Sequence, residues 1–302
     1  MHAPSTSTGT PQSGGVDSAG VSIPGVYPDT LKGLSGLNPV VARIVEEVAQ
    51  REAVVPFKEI KARSRNMPPT RDARAALLRQ GCSVIVEIKR TSPVGGPNEV
   101  VESIEDVARA IEDAGADLIA CQTERLRFDG SLTDMLLARR ATSLPIVCRD
   151  VIVDPYQIHE ARCFGADMVP LQVGLLEQAR FESLLDRIES LGMVAAAEVR
   201  TPEEADRAIT AGASVIAVNS WTFDTNDLNR GAFQEIVPGL PESVIRISLG
   251  GVRCSKDLVE AASVGADAVI AGEAVMSSDD VGAATRRLVC AGHHPACPSR
   301  KS

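Results

Sequence analysis

GADLIACQ (115–122), GADMVPLQ (165–172), GASVIAVN (212–219) and GADAVIAG (265–272) are four versions of one phrase. Each opens on a glycine, passes through alanine and an aspartate or serine, and runs into a short apolar stretch. A glycine that follows an amphipathic segment suits the left-handed residue at a helix end. A brief apolar run bounded in this way reads as a buried parallel strand. The glycines stand about fifty residues apart, which leaves room for two strand–helix units between successive marks. The phrases therefore predict strands 2, 4, 6 and 8 of a series. The odd members lie between them: SVIVEI (83–88), LPIVCR (144–149), MVAAAEV (193–199) and VIRISL (244–249). Amphipathic stretches such as VESIEDVARAIEDAG (101–115) supply the crossovers. The pattern predicts an α/β chain closed into a (β/α)8 TIM barrel. A doubly wound open sheet is the alternative, but it needs a reversal of strand order that nothing in the pattern suggests.

Outside the series, residues 1–36 are rich in Ser, Thr, Gly and Pro and are expected to be disordered. NPVVARIVEEVAQREAV (38–54) has helical periodicity with Pro39 in the first turn, and Arg71 to Gln80 fits a second helix. Both read as additions that pack on the barrel, so the barrel domain is drawn over 37–290, with a tail over 291–302. A length of 302 residues fits one barrel plus such extensions. Only 3% of residues are aromatic, so Val, Ile, Leu and Ala must fill the core.

The net charge of −9, with no basic stretch, argues against nucleic acid as a partner. No apolar run reaches the roughly 18 residues of a membrane span, and no basic and apolar leader marks a signal peptide. The cysteines are seven, an odd number, with no CxxC pair, which predicts reduced thiols and a cytoplasmic setting. Cys290, His293, His294 and Cys297 are ligand types at short spacing, but Gly292, Pro295 and Pro298 favour a frayed tail, and no metal site is expected. No cofactor is expected either. His159, on the helix after strand 3, is expected at the surface.

Active sites of such barrels lie at the C-terminal ends of the strands. Strand 1 ends in Glu87-Ile88-Lys89; positions i and i+2 share a face, so the carboxylate and the ammonium are expected to form an acid–base pair at the mouth. Strand 3 ends at Arg149-Asp150, strand 5 at Glu198 and strand 6 at Asn219-Ser220-Trp221. Gly250-Gly251 follow strand 7, and Gly272-Glu273 follow strand 8, ahead of a helix that Ser277 to Asp280 can cap. Glycines in these two loops let backbone N–H groups approach a phosphate. A small phosphorylated substrate is the predicted ligand.

These residues also carry a resemblance. VEIKRTSPVGG (86–96) is similar to the first-strand signature of the indole-3-glycerol phosphate synthase family, Glu-Ile-Lys-x-x-Ser-Pro. The likeness continues through TERLRFDGS (123–131), RDVIVDPYQIHEARCFGAD (149–167), GMVAAAEV (192–199), AGASVIAVNS (211–220) and GADAVIAGEAVM (265–276). It covers roughly residues 38–290. The resemblance implies a carboxy-lyase of tryptophan biosynthesis, acting as a monomer. The implied reaction closes the indole ring of a 1-(2-carboxyphenylamino)-1-deoxyribulose 5-phosphate with loss of carbon dioxide and water. It assigns catalysis to Glu87, Lys89, Glu198 and Asn219, and substrate or phosphate contacts to Ser92, Phe128, Gly251 and Gly272.

The departures from that pattern fall in the site. The third-strand catalytic lysine is Arg149, which stays protonated and is a poor acid near neutral pH. The phenylalanine two places on is Val151. The sixth-loop arginine is Trp221, within Asn219-Ser220-Trp221-Thr222-Phe223. The seventh-strand Glu-Ser-Gly is Leu249-Gly250-Gly251. Pro170 interrupts strand 4. Three readings stay open: the ordinary synthase with Lys89 as the remaining acid and Arg149 as a catalytic electrostatic clamp, a paralogue acting on a modified arylamino- or amino-deoxypentulose phosphate, and a non-catalytic phosphate-binding barrel.

Overall fold

The structure is a computed structural model and describes residues 39–92, 96–98, 103–222 and 227–297. The tail over 1–36, the first-strand signature at 93–95, Phe223 and the chain from Pro298 onward lie outside the described residues.

Eight parallel strands close into a barrel: β1 Ser83–Ile88, β2 Leu118–Gln122, β3 Ile146–Arg149, β4 Met168–Gln172, β5 Val194–Val199, β6 Val215–Asn219, β7 Ile245–Leu249 and β8 Ala268–Ala271. They follow one another in order around the ring, and β8 pairs with β1 from Ser83–Ala268 to Val86–Ala271. Alternate residues face inward. Ile85, Leu118, Val147, Met168, Ala196, Ala217, Ile247 and Ile270 fill the interior, while Val84, Val86 and their counterparts pack against the outer helices. Because Ile85 faces in, Glu87 and then Lys89 climb the same inner face to the rim.

The repeated phrase has a physical basis at the other end. Gly115, Gly165, Gly212 and Gly265 all hold positive φ, from 80° to 114°, where a side chain would be strained. Each aspartate that follows accepts a strand-opening amide: Val84 N–H to Asp117 at 2.9 Å, Ile146 N–H to Asp167 at 2.8 Å and Arg246 N–H to Asp267 at 2.8 Å.

Pro170 leaves its mark on β4. The strand pairs with β5 over five positions, but with β3 through Val147–Met168 alone. A proline brings no N–H to the ladder. Toward the rim that seam is closed by the Gln172 side chain, whose Nε2 donates to the Asp150 carbonyl at 3.1 Å.

The leading segment differs from expectation. Helix α1 (Pro39–Val54) is where the periodicity placed it. A further helix, α2 (Phe57–Arg65), was hidden by its polarity; only Ile60 and Ser64 are buried on it. The expected helix over 71–80 shrinks to α3 (Ala73–Leu77), capped by Asp72 accepting from Ala75 N–H at 2.8 Å. It does not pack on the outside: Ala73, Ala76 and Leu77 join the interior cluster with Ile85 and Leu118 and close the N-terminal end of the barrel.

His159 is also corrected. It is 1% exposed, because α2 covers it. Its Nδ1 meets Ser64 Oγ at 2.7 Å, its ring stands edge-on to Phe57, and its Nε2 has no partner. Burial, then the charges of Arg187, Lys61 and Arg65, push its pKa down to about 4. The chain after 290 is not frayed over its described part. The last helix runs Val281–Gly292, the Gly292 carbonyl accepts Cys82 N–H at 2.9 Å, and Cys297 is buried. Among the described residues, no three His, Cys, Asp or Glu side chains come together as a metal would require, and no helix is long and apolar enough to cross a membrane.

Candidate active site

The strand-end and loop residues singled out from the sequence, Ser220 apart, line one cavity of about 350 Å³ at the C-terminal mouth. Glu87 and Lys89 both reach it, but they do not pair with each other. Lys89 Nζ lies 2.9 Å from Glu273 Oε2, and Glu87 Oε1 accepts from Arg149 Nε at 3.2 Å and from Gln122 Nε2 at 3.4 Å. The expected acid–base pair is thus two crossed pairs. Glycine 272 explains how they coexist, since a Cβ there would stand 2.7 Å from Glu87 Oε2 and 3.4 Å from Lys89 Cε.

At the floor sits Glu198, 1% exposed. Its Oε2 accepts from Arg149 Nη1 at 2.7 Å. Its Oε1 accepts from Arg200 Nη2 at 2.7 Å and from Asn219 Nδ2 at 2.8 Å. Burial alone would raise the Glu198 pKa; the two guanidiniums and the amide outweigh it and hold it near 2. Burial likewise opposes the charge on Arg149, but Glu198 and Glu87 overcome it and keep the guanidinium firmly protonated. Arg149 therefore bridges two carboxylates as a fixed cation.

Beside it, Asp150 accepts from Thr123 Oγ1 at 2.7 Å and from Val151 N–H at 2.8 Å, yet burial lifts its pKa to about 6. Glu273 is pushed up by burial and more strongly down by Lys89, Ser277 and Ser92, so it stays below the usual carboxylate range. Its side chain is engaged with the ammonium, and as an acceptor it has nothing to donate to a phosphate.

The glycine corner faces this group. Gly250 and Gly251, both on the cavity wall, hold φ of 87° and 84°, two successive left-handed residues. After β8, Gly272 opens the short helix Glu273–Met276, and Asp280 caps the helix that follows by accepting from Ala283 N–H at 2.8 Å. Ser92 lies buried on the same side. Phe128, Trp221, Leu228 and Leu249 give the cavity apolar walls.

Several residues of this site were not singled out from the sequence. Arg200 had a signal, since it stands two positions beyond Glu198 on the same face. Gln122 and Gln172 are the last residues of β2 and β4 and could have been found the same way. Arg230 and Arg253 also line the mouth but carry no such cue.

A closed parallel barrel whose C-terminal mouth gathers carboxylates, cations and two glycine turns defines a β/α-barrel protein with a polar pocket at that mouth. Solved structures agree on the fold: an N-acetylmannosamine-6-phosphate 2-epimerase from Clostridium perfringens superposes with a TM-score of 0.51 at 18% identity, over 66% of this chain and 90% of that one. A thiamine phosphate pyrophosphorylase from Pyrococcus furiosus gives 0.52 at 17% identity, over 72% and 96%. A sequence profile for indole-3-glycerol phosphate synthase matches residues 37–288. The indole-3-glycerol phosphate synthases of Mycobacterium avium and Mycobacterium tuberculosis are each 48% identical over 262 residues, 87% of this chain and 96% of theirs. That of Saccharopolyspora erythraea is 47% identical over 265 residues, 88% and 98%. The chain belongs to the indole-3-glycerol phosphate synthase family.

Proposed function

We propose that this chain is a carboxy-lyase that converts 1-(2-carboxyphenylamino)-1-deoxyribulose 5-phosphate to the indole glycerol phosphate, carbon dioxide and water, the ring-closing step of tryptophan biosynthesis. The observation that carries this reading is the convergence of Glu87, Lys89, Glu198 and Asn219 at one mouth, facing the Gly250-Gly251 and Gly272 turns. The turns and Ser92 receive the phosphate through backbone and hydroxyl donors.

Lys89 acts as the acid. As the ring carbon bonds to the ketone carbon, Lys89 protonates the ketone oxygen. The carboxylate then leaves as carbon dioxide and restores the aromatic ring. A second proton takes the new hydroxyl away as water, and the carbon next to nitrogen releases one in return, which completes the indole. Glu198, held as an anion, stabilises the cationic nitrogen that precedes this release rather than accepting the proton itself. Arg149 steadies developing negative charge and fixes both carboxylates. Glu273 holds the Lys89 ammonium in place.

A second reading has a specific observation behind it: Arg149, Trp221, Leu249 and Gly250, all departures from the family pattern, sit on the wall of this one cavity. On that reading the chain takes a related substrate with a modified arylamine portion. The free cysteines support a cytoplasmic setting, and the chain is proposed to act as a monomer.

Incubation of the purified chain with the carboxyphenylamino substrate, followed by indole fluorescence, separates these readings. Product formation supports the first. Tight binding of the substrate without product supports the second, and absence of both refutes the pair. Lys89→Met is expected to lower turnover at least about a hundredfold with an unchanged circular dichroism spectrum. Turnover near the parent value removes Lys89 from the mechanism.

A further inference from the structure

Four hydrogen bonds join into a ring at the cavity floor. Glu198 Oε1 accepts from Asn219 Nδ2 at 2.8 Å, and Asn219 Oδ1 accepts from the Trp221 N–H at 2.9 Å. The Trp221 carbonyl accepts from Arg200 Nε at 3.0 Å, and Arg200 Nη2 returns to the same Glu198 oxygen at 2.7 Å. The peptide groups on both sides of Trp221 are thereby tied to the buried carboxylate. Arg200 is itself anchored, since its N–H donates to Glu204 Oε2 at 2.7 Å on the next helix.

The Trp221 side chain lies directly over Gly250. A Cβ on residue 250 would stand 2.6 Å from indole Cδ1 and 2.9 Å from Nε1, so the indole occupies space that any other residue would need. Trp221 and Gly250 are thus one unit: the ring fits only where the side chain is absent. Leu249 precedes it on β7 and Leu228 bridges to Trp221 across the loop, so apolar side chains flank the pair.

We propose that Arg200 is a positioning residue that sets Trp221 over Gly250, and that the indole so placed governs how the substrate seats at that glycine turn. This rests on the function proposed above. Arg200 also helps hold Glu198 as an anion, so its effect through Trp221 is separated from that role by reading KM against kcat.

The chain contains a single tryptophan, so its fluorescence reports on this wall alone. The test uses the full chain with Arg200→Met, Arg200→Lys, Trp221→Ala and the Arg200→Met/Trp221→Ala pair. Three quantities are read: tryptophan emission and its quenching by acrylamide, KM against kcat, and affinity for a substrate analogue whose ketone is reduced to the alcohol. If Arg200 works through Trp221, Arg200→Met shifts the emission and raises KM and the analogue Kd roughly tenfold, and the paired variant is no worse in KM than Trp221→Ala. Arg200→Lys, which keeps the charge and one donor, restores part of the affinity.

Unchanged emission in a folded Arg200→Met chain, or KM effects that add in the paired variant, overturn the proposal while leaving the reaction assignment standing. A parent chain that neither turns over the substrate nor binds the analogue overturns both.

Discussion

Glu198→Gln removes one charge with little change of shape, and the structure sets the size of the effect. The carboxyl is held near 2, against an ordinary value of 4.5, because Arg149, Arg200 and Asn219 outweigh the cost of its burial. A depression of about 2.5 units corresponds to roughly 3 kcal/mol of added stability when the carboxylate is ionised in both states. The folded pKa lies below the unfolded one, so this contribution is complete above pH 4.5 and drains away as pH falls toward 2. By pH 3 about 2 kcal/mol of it should be gone. The glutamine chain lacks this linkage, although it takes an anionic partner from two guanidiniums and carries a cost that does not vary with pH. Urea denaturation of both chains at pH 7, 5.5, 4 and 3 isolates the variable part. The stability gap between them is expected to narrow by about 2 kcal/mol between pH 5.5 and pH 3. A gap that stays level across that range refutes the argument that the two arginines hold Glu198 as an anion.

Three other perturbations follow from the same geometry. Arg149→Lys places an ammonium between Glu87 and Glu198, both of which keep it protonated; turnover of the carboxyphenylamino substrate is expected to rise less than tenfold, and a gain of about a hundredfold or more shows that a proton donor was the missing element. Gly250→Ala introduces a Cβ 2.6 Å from the indole at a φ of 87° and should destabilise the fold, with the penalty smaller by about 1 kcal/mol or more when Trp221→Ala is already present; equal penalties in thermal melts count against the pairing of the two residues. His159, whose folded pKa near 4 lies below the ordinary 6.5, should draw stability down as pH falls from 6.5 toward 4, and His159→Gln should flatten that slope in melting curves taken across the interval.

The barrel was legible because its signals are local and repeated. A left-handed glycine and a strand-capping aspartate recur before alternate strands, and each has a physical reason that spacing alone exposes. The residues of the mouth were legible for a related reason: strand ends converge by construction, so Glu87, Glu198 and Asn219 needed no tertiary knowledge. Their partners did. Lys89 meets Glu273 and not Glu87 because β8 brings a glycine and a carboxylate to the same corner, a fact of barrel closure. Helix α2 escaped notice because its sequence, FKEIKARSR, is almost wholly polar and its few buried groups include a serine. The same helix buries His159, so one missed element produced two errors. Helix α3 was seen as a helix but not as a stopper, because its alanines and leucine suit either place. Trp221 over Gly250 was read as two separate losses. The close approach that joins them exists only in three dimensions.

The aspartates at the foot of the strands bear on how such a molecule can change. Asp117, Asp167 and Asp267 fasten strand to strand at the end remote from the cavity, through backbone amides that no side-chain replacement at the rim disturbs. The chassis is bolted from below while the tooling is mounted above. A chain built so can exchange an arginine for a tryptophan, or a lysine for an arginine, and keep its footing. Grafting a relative's rim onto this base, loop by loop, is therefore a practical route to altered selectivity.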